Sequence, residues 1–315
     1  MQKWYGEVVG QVKSGLARTY QRLNKASGGL PRILRHAFEG FGEARGSEAA
    51  AGMAYYALFS LFPLTLALVA LGSFVLERQQ AIEQTTNLIT QAIPVSQSLI
   101  VENVDRLLDL RGPLGLVGLV GTLWSASGFF TILAGNVNRA WPGAAERSFL
   151  SRRLVALGMI AMLFGLLIVS LLLTTTLNVL SQLEIPLWDS GSIYDTALSP
   201  IVSTLVPWLL TLLLFVALYR WVPNTKVPAV AAFWPALVVA SVWQIGASVF
   251  SWYVGSGLAS YQVVYGSLGT IIALMFWIYL SSWLILFGAQ LSAAIAKHSH
   301  GHSPTSRAPQ SSNGG

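Results

Sequence analysis

The chain has 315 residues, 54% of them hydrophobic and only 10% charged. That balance, with a mean hydropathy of +0.59, excludes a soluble domain of this size and indicates an integral membrane protein. A net charge of +6 would suit a nucleic-acid binder if the basic residues formed a patch, but they bracket apolar runs and read as topology signals. With no cysteine, disulfide frameworks, thiolate metal centres and cysteine nucleophiles are also excluded.

In chain order, residues 1–48 read as a basic cytoplasmic arm. Tyr5, Val8, Val9, Val12, Leu16, Tyr20 and Leu23 recur at helical spacing opposite Lys13, Arg18 and Arg22, which predicts a helix lying on an anionic leaflet or capping the bundle. Gly28 and Gly29 break it, and Pro31 starts a second short amphipathic helix through Leu34 and Phe38. The first long apolar run begins near Ala49, too late for a cleaved signal peptide, so it is expected to stay in the membrane.

Residues 49–296 contain six runs free of Asp, Glu, Lys and Arg, at 50–76, 114–138, 154–181, 199–219, 229–254 and 268–296. Each is long enough to cross about 30 Å of hydrocarbon as a helix. The fold expected is all-α, a polytopic bundle of six transmembrane helices. Val227–Ala296 carries no charge, so only its length and the break at Gly255, Ser256 and Gly257 divide it, and five spans remain an alternative. In the outside loop, 77–113, Leu99, Ile100, Val104, Leu107 and Leu108 form one stripe, predicting an interfacial helix. Residues 297–315 lack apolar content and are expected to be a disordered tail. Sixteen of the 19 Lys and Arg fall on one side of this arrangement, which puts both termini in the cytoplasm.

Residues for catalysis are sparse. His298, His300 and His302 alternate in the tail, His36 stands apart, and Glu146 is the one acid in the inner connections between spans. A metal site needs rigid, convergent ligands, and acid–base chemistry needs paired groups. Hence no enzyme activity, cofactor, metal or nucleic-acid partner is expected.

The membrane interior instead carries neutral polar side chains: Trp124, Ser125, Ser127, Asn136 and Asn138 in span two, Gln244 in span five, and Thr270, Tyr279, Ser281, Ser282, Gln290 and Ser292 in span six. Buried amides need partners from other helices or water. Pro63, Pro207 and Pro235 each free a backbone carbonyl inside a span, which is tolerated only against protein or a wet cavity.

Several segments resemble the YihY/BrkB family of bacterial inner-membrane proteins: AAAGMAYYALFSLFPL at 49–64, GTLWSASGFF at 121–130, YRWVPN at 219–224, YGSLGT at 265–270 and MFWIYLSSWLILFGAQL at 275–291. The resemblance covers roughly residues 35–296 and implies about six helices. It brings no settled activity, since ribonuclease, virulence-factor and transport-like roles have all been attached to members. Where the family pattern is expected to favour Gly-Ala-Glu, this chain has Gly288, Ala289 and Gln290; where relatives tend to Pro-Gly, it has Pro235-Ala236. An amide at 290 keeps hydrogen bonding and loses charge.

The function expected is a transporter or flippase-like protein of the cytoplasmic membrane, handling a lipid or other amphiphilic envelope component. Its expected lining is Tyr55, Tyr56, Ser60, Trp124, Ser125, Asn136, Gln244, Tyr265, Tyr279 and Gln290. Arg139, Arg220 and Lys226 stand at the inner rim for an anionic headgroup. The alternatives are a non-transporting envelope scaffold and, last, a membrane-bound ribonuclease.

Overall fold

The computed structural model describes residues 29–72, 111–182, 199–256 and 267–300, with Glu83. The elements among these described residues are seven helices: α1 Leu30–Glu43, α2 Gly46–Gly72, α3 Arg111–Arg139, α4 Phe149–Gln182, α5 Ser199–Trp221, α6 Ala229–Gly255 and α7 Ser267–His300. No strand occurs among the described residues. Among the described residues three segments are long and apolar enough to cross a membrane, Phe149–Ser170, Ala229–Val254 and Ile271–Ser299, and Leu205–Trp221 is a shorter apolar helix. The arm before Gly29, the loop stripe at 99–108, Tyr265 and residues 301–315 lie outside the described residues.

Helix ends follow the local chemistry. Gly29 takes φ +93 immediately before α1, and Pro31 occupies its first turn, where a missing N–H costs nothing. Arg45, at φ 49, turns the chain between α1 and α2. The uncharged stretch divides where expected: α6 ends at Gly255, and the Ser256 N–H donates to the Trp252 carbonyl at 2.8 Å.

α1 buries Ile33, Ala37 and Phe41 and leaves Arg32, Arg35, His36 and Glu39 exposed. Its buried side clusters with Leu291 and Ala294 of α7, and Phe41 packs on Trp283 with centroids 4.8 Å apart. This short helix is therefore a cap fastened to the end of α7. The cap also explains a departure from the expected tail. α7 continues past Ala296 to His300, and the His298 ring crowds Gly29, where a Cβ would fall 2.7 Å from it.

Around α7 the helices touch through small residues. A Cβ on Gly288 would stand 2.2 Å from the Tyr219 hydroxyl and 2.6 Å from Val239, so only glycine lets α5, α6 and α7 meet there. Tyr219 is wholly buried and its hydroxyl donates to the Ile285 carbonyl at 3.1 Å. Pro235 lies inside α6 and cannot bond the carbonyl four residues back, that of Ala231. The Ser292 hydroxyl, fully buried on α7, donates to that carbonyl at 2.7 Å. The freed acceptor is thus met by protein rather than by water.

Candidate functional site

Three of the expected residues converge at one end of the bundle. Asn136 and Arg139 close α3 and Gln290 projects from α7, and together with Phe41, Ala44, Gly46, Ala49 and Leu286 they line a crevice. The Arg139 guanidinium donates to Asn136 Oδ1 at 3.3 Å. Gln290 is buried, its Oε1 2.6 Å from where a Cβ on Gly40 would lie, so a glycine in α1 lets the cap close over the amide. The free interior, ≈ 10 Å³, is at the lower limit of what admits a single water molecule. On the outer surface of α1, Arg35 Nε donates to Glu39 at 2.7 Å. This hydrogen bond holds the Glu39 carboxyl below its ordinary value.

Two connections are latched beside this crevice. The Asn224 N–H donates to Asn138 Oδ1 at 2.7 Å, and both amide side chains donate to the Ala145 carbonyl, at 3.0 Å from Asn224 and 3.4 Å from Asn138. Arg147 donates to the Val222 carbonyl, and its partial burial lowers its pKa. The α3–α4 and α5–α6 connections are therefore one polar unit. Trp141 Nε1 is buried there without an acceptor.

A second polar locus lies farther along α3. Arg153, in the second turn of α4, stacks its guanidinium 4.5 Å from the Trp124 ring centroid and 5.7 Å from that of Phe149. One terminal nitrogen donates to Ser127 Oγ at 2.6 Å and to the Trp124 carbonyl at 3.1 Å. Ser127 passes its own hydroxyl proton to the same carbonyl at 2.7 Å. Nearby helices α2 and α3 touch where Ser60 Oγ accepts from the Phe129 N–H at 3.2 Å, opposite Gly128.

The remaining expected residues do not gather at either locus. Tyr55 and Tyr56 are about half exposed, stacked on each other edge to face, with Phe59 beside Tyr55. Ser125 is exposed. Gln244 and Tyr279 are half-buried, Tyr279 against the main core. Arg220 and Lys226 are exposed at the end of α5 and in the connection after it. Sequence reasoning missed Arg153 because it stands among Arg147, Arg152 and Glu146, where a flanking topology charge is the ordinary reading. Its one available signal was its place at the very edge of an apolar run.

Apolar helices of this length joined by basic connections define a polytopic α-helical membrane protein. The chain belongs to the family described as virulence factor BrkB, whose model matches residues 37–313. It is 31% identical, over 84% of its length and 95% of the relative's, to YfkH of Bacillus subtilis (strain 168), a protein with a provisional ribonuclease-like name. It is 25% identical to a UPF0761 membrane protein of Haemophilus influenzae (strain 86-028NP), covering 81% of this chain and 91% of that one. A UPF0761 membrane protein of Histophilus somni (strain 2336) is 40% identical over a shorter stretch, 30% of this chain and 32% of its own. No solved structure matches.

Proposed function

We propose that α2 to α7 form six spans of the cytoplasmic membrane with both termini inside, and that the protein moves a lipid or other amphiphilic envelope component across it. The observation that carries this reading is the crevice. Residues some 150 positions apart in the chain, Asn136 and Arg139 against Gln290, meet beneath a helical cap with room for about one water. Such a closed polar gate suits an alternating cycle, and the prolines inside α2, α5 and α6 give those helices points at which to bend. The sixteen-to-three split of Lys and Arg supports the orientation. No catalytic step is part of this function.

The test is native mass spectrometry of protein released from nanodiscs. Retention of one lipid or precursor in defined stoichiometry, weakened by Gln290→Leu without loss of expression, is the expected result. Bulk lipid alone, unaffected by Gln290→Leu, would sink the transport reading.

One observation favours the scaffold reading instead: Ser60, Ser292 and the Trp243–Ser281 pair are bonded within helix crossings, as packing alone would require. A scaffold predicts that Gln290→Leu lowers stability and changes no lipid occupancy. The ribonuclease-like name of the Bacillus relative supplies a third reading. Among the described residues no three His, Asp or Glu side chains gather as metal ligands, so RNA cleavage by the purified protein, lost on replacing one named acid, would be needed to revive it.

A further inference from the structure

We propose that Arg153 binds an anionic oxygen, phosphate or carboxylate, carried on the headgroup of the amphiphile, in a site built with Trp124 and Ser127 and separate from the inner-end crevice. This inference rests on the amphiphile reading above and gives its ligand a charge.

Depth is the first argument. Arg139 closes α3 at the crevice, and Trp124 lies fifteen residues back along the same helix, about 22 Å at 1.5 Å per residue. The irregular stretch 144–148 leads from the latch at Ala145 to Phe149, whose ring lies 6.0 Å from that of Trp124. It delivers Arg153 to a level well removed from the exposed cations Arg139 and Lys226. A positive-inside charge has no need of such placement, since water at the rim would solvate it.

Bonding is the second argument. Arginine has five donors and stays charged. In Arg153 one terminal nitrogen meets neutral oxygens of Ser127 and Trp124, while Nε is buried with no acceptor among the described residues. The ion pairs among the described residues are Arg35–Glu39 and Arg45–Glu48, both exposed, so no carboxylate there balances Arg153. An unmet buried donor on a charged group is costly, and in a membrane such charges pair.

Access is the third. Trp124 is 45% exposed, and Leu150 and Leu154 beside Arg153 on α4 are each exposed by more than 60%. These apolar surfaces belong against acyl chains, so the acceptor arrives from the lipid side on a molecule with its own apolar body. The second terminal nitrogen makes no hydrogen bond among the described residues and is the donor open to that acceptor, with the buried Nε beside it on the same edge.

The test uses full-length protein in nanodiscs of mixed phosphatidylglycerol and phosphatidylcholine, released for native mass spectrometry. Wild type is expected to keep phosphatidylglycerol in defined stoichiometry. Arg153→Gln should lower that occupancy by about tenfold or more, the worth of a charged hydrogen bond. Arg153→Lys, which keeps the charge and loses the fork, should fall between, and it carries the test if the Gln variant does not accumulate. Arg152→Gln, at the exposed arginine next to Arg153, should bind as wild type, and millimolar inorganic phosphate should not compete.

Equal occupancy in wild type and the Arg153 variants would overturn the proposal. So would equal loss with Arg152→Gln, which would mean general surface attraction, or full competition by phosphate, which would mean a free-anion site. Specific retention of phosphatidylcholine, indifferent to residue 153, would leave amphiphile handling standing and remove Arg153 from it. Absence of any specific lipid would remove both.

Discussion

The crevice end and the Trp124–Arg153 level treat polar groups differently. At the crevice end most polar groups answer one another: Asn138, Asn224 and the Ala145 carbonyl are bonded together, Ser292 completes the acceptor that Pro235 frees, and a glycine admits Gln290, with Trp141 Nε1 the exception. At the Arg153 level a full charge is held by two neutral oxygens and an aromatic face, with a donor left over. The first arrangement is what stability requires of buried polar groups. The second leaves free energy available to a ligand, because a partner that meets the donor recovers what the fold alone does not.

The sharpest way to break this comparison is at Gly288. Replacement by Val should strike the Tyr219 hydroxyl and Val239 and destabilise by about 3 kcal/mol or prevent accumulation, as overpacking does; thermal unfolding in detergent measures it. An unchanged midpoint would mean that the α5–α6–α7 contact is looser than described.

Next is Ser292→Ala, which leaves the Ala231 carbonyl without its donor at a cost of about 1–3 kcal/mol. Pro235→Ala supplies an N–H at position 235, so the double variant should recover much of the loss, and a double-mutant cycle reads the coupling. Additive losses would show that Ser292 does not serve the proline-freed carbonyl.

Arg153→Leu sharpens the contrast from the other side. In detergent free of acidic lipid it should leave stability within about 1 kcal/mol of wild type or raise it, because it removes an uncompensated charge. Ser127 still bonds the Trp124 carbonyl without it. A loss as large as that of Ser292→Ala would make Arg153 a structural residue of the same kind.

The smallest effect belongs to the exposed Arg35–Glu39 pair on the cap. Because Arg35 lowers the Glu39 pKa, any stability it gives α1 is present above the ordinary carboxylate range and lost as pH falls through the lowered value. Hydrogen exchange of the α1 amides, followed from neutral to acid pH, should show slight loosening that Arg35→Ala and high salt abolish.

Much of the helix layout was legible because its signals are local. Gly29 and Pro31 mark the start of α1, and the Gly255–Gly257 break falls where α6 ends. Charge-free runs of more than 20 residues predict membrane helices whatever they pack against. The site was legible only in part. Asn136, Arg139 and Gln290 were named as candidates from residue type, but their meeting in one crevice was not predicted.

For Tyr55 and Tyr56, residue type misdirected. Aromatic hydroxyls suggested a lining, and the structure leaves both about half exposed and outside the crevice of Asn136, Arg139 and Gln290. A helix apolar on every side carries no stripe to fix its rotation, so which face points inward is set by neighbours such as Gly128, which admits α2 at Ser60.

The sequence by itself determined the class of protein, the apolar segments and the asymmetry of basic charge, because hydrocarbon acts on each segment independently of the others. Only the tertiary structure decided that α1 caps α7, that Ser292 answers Pro235, and that Arg153 turns back onto Trp124. Those pairings depend on helix rotation and on the path of a five-residue strap, and both are fixed by contacts between residues far apart in the chain.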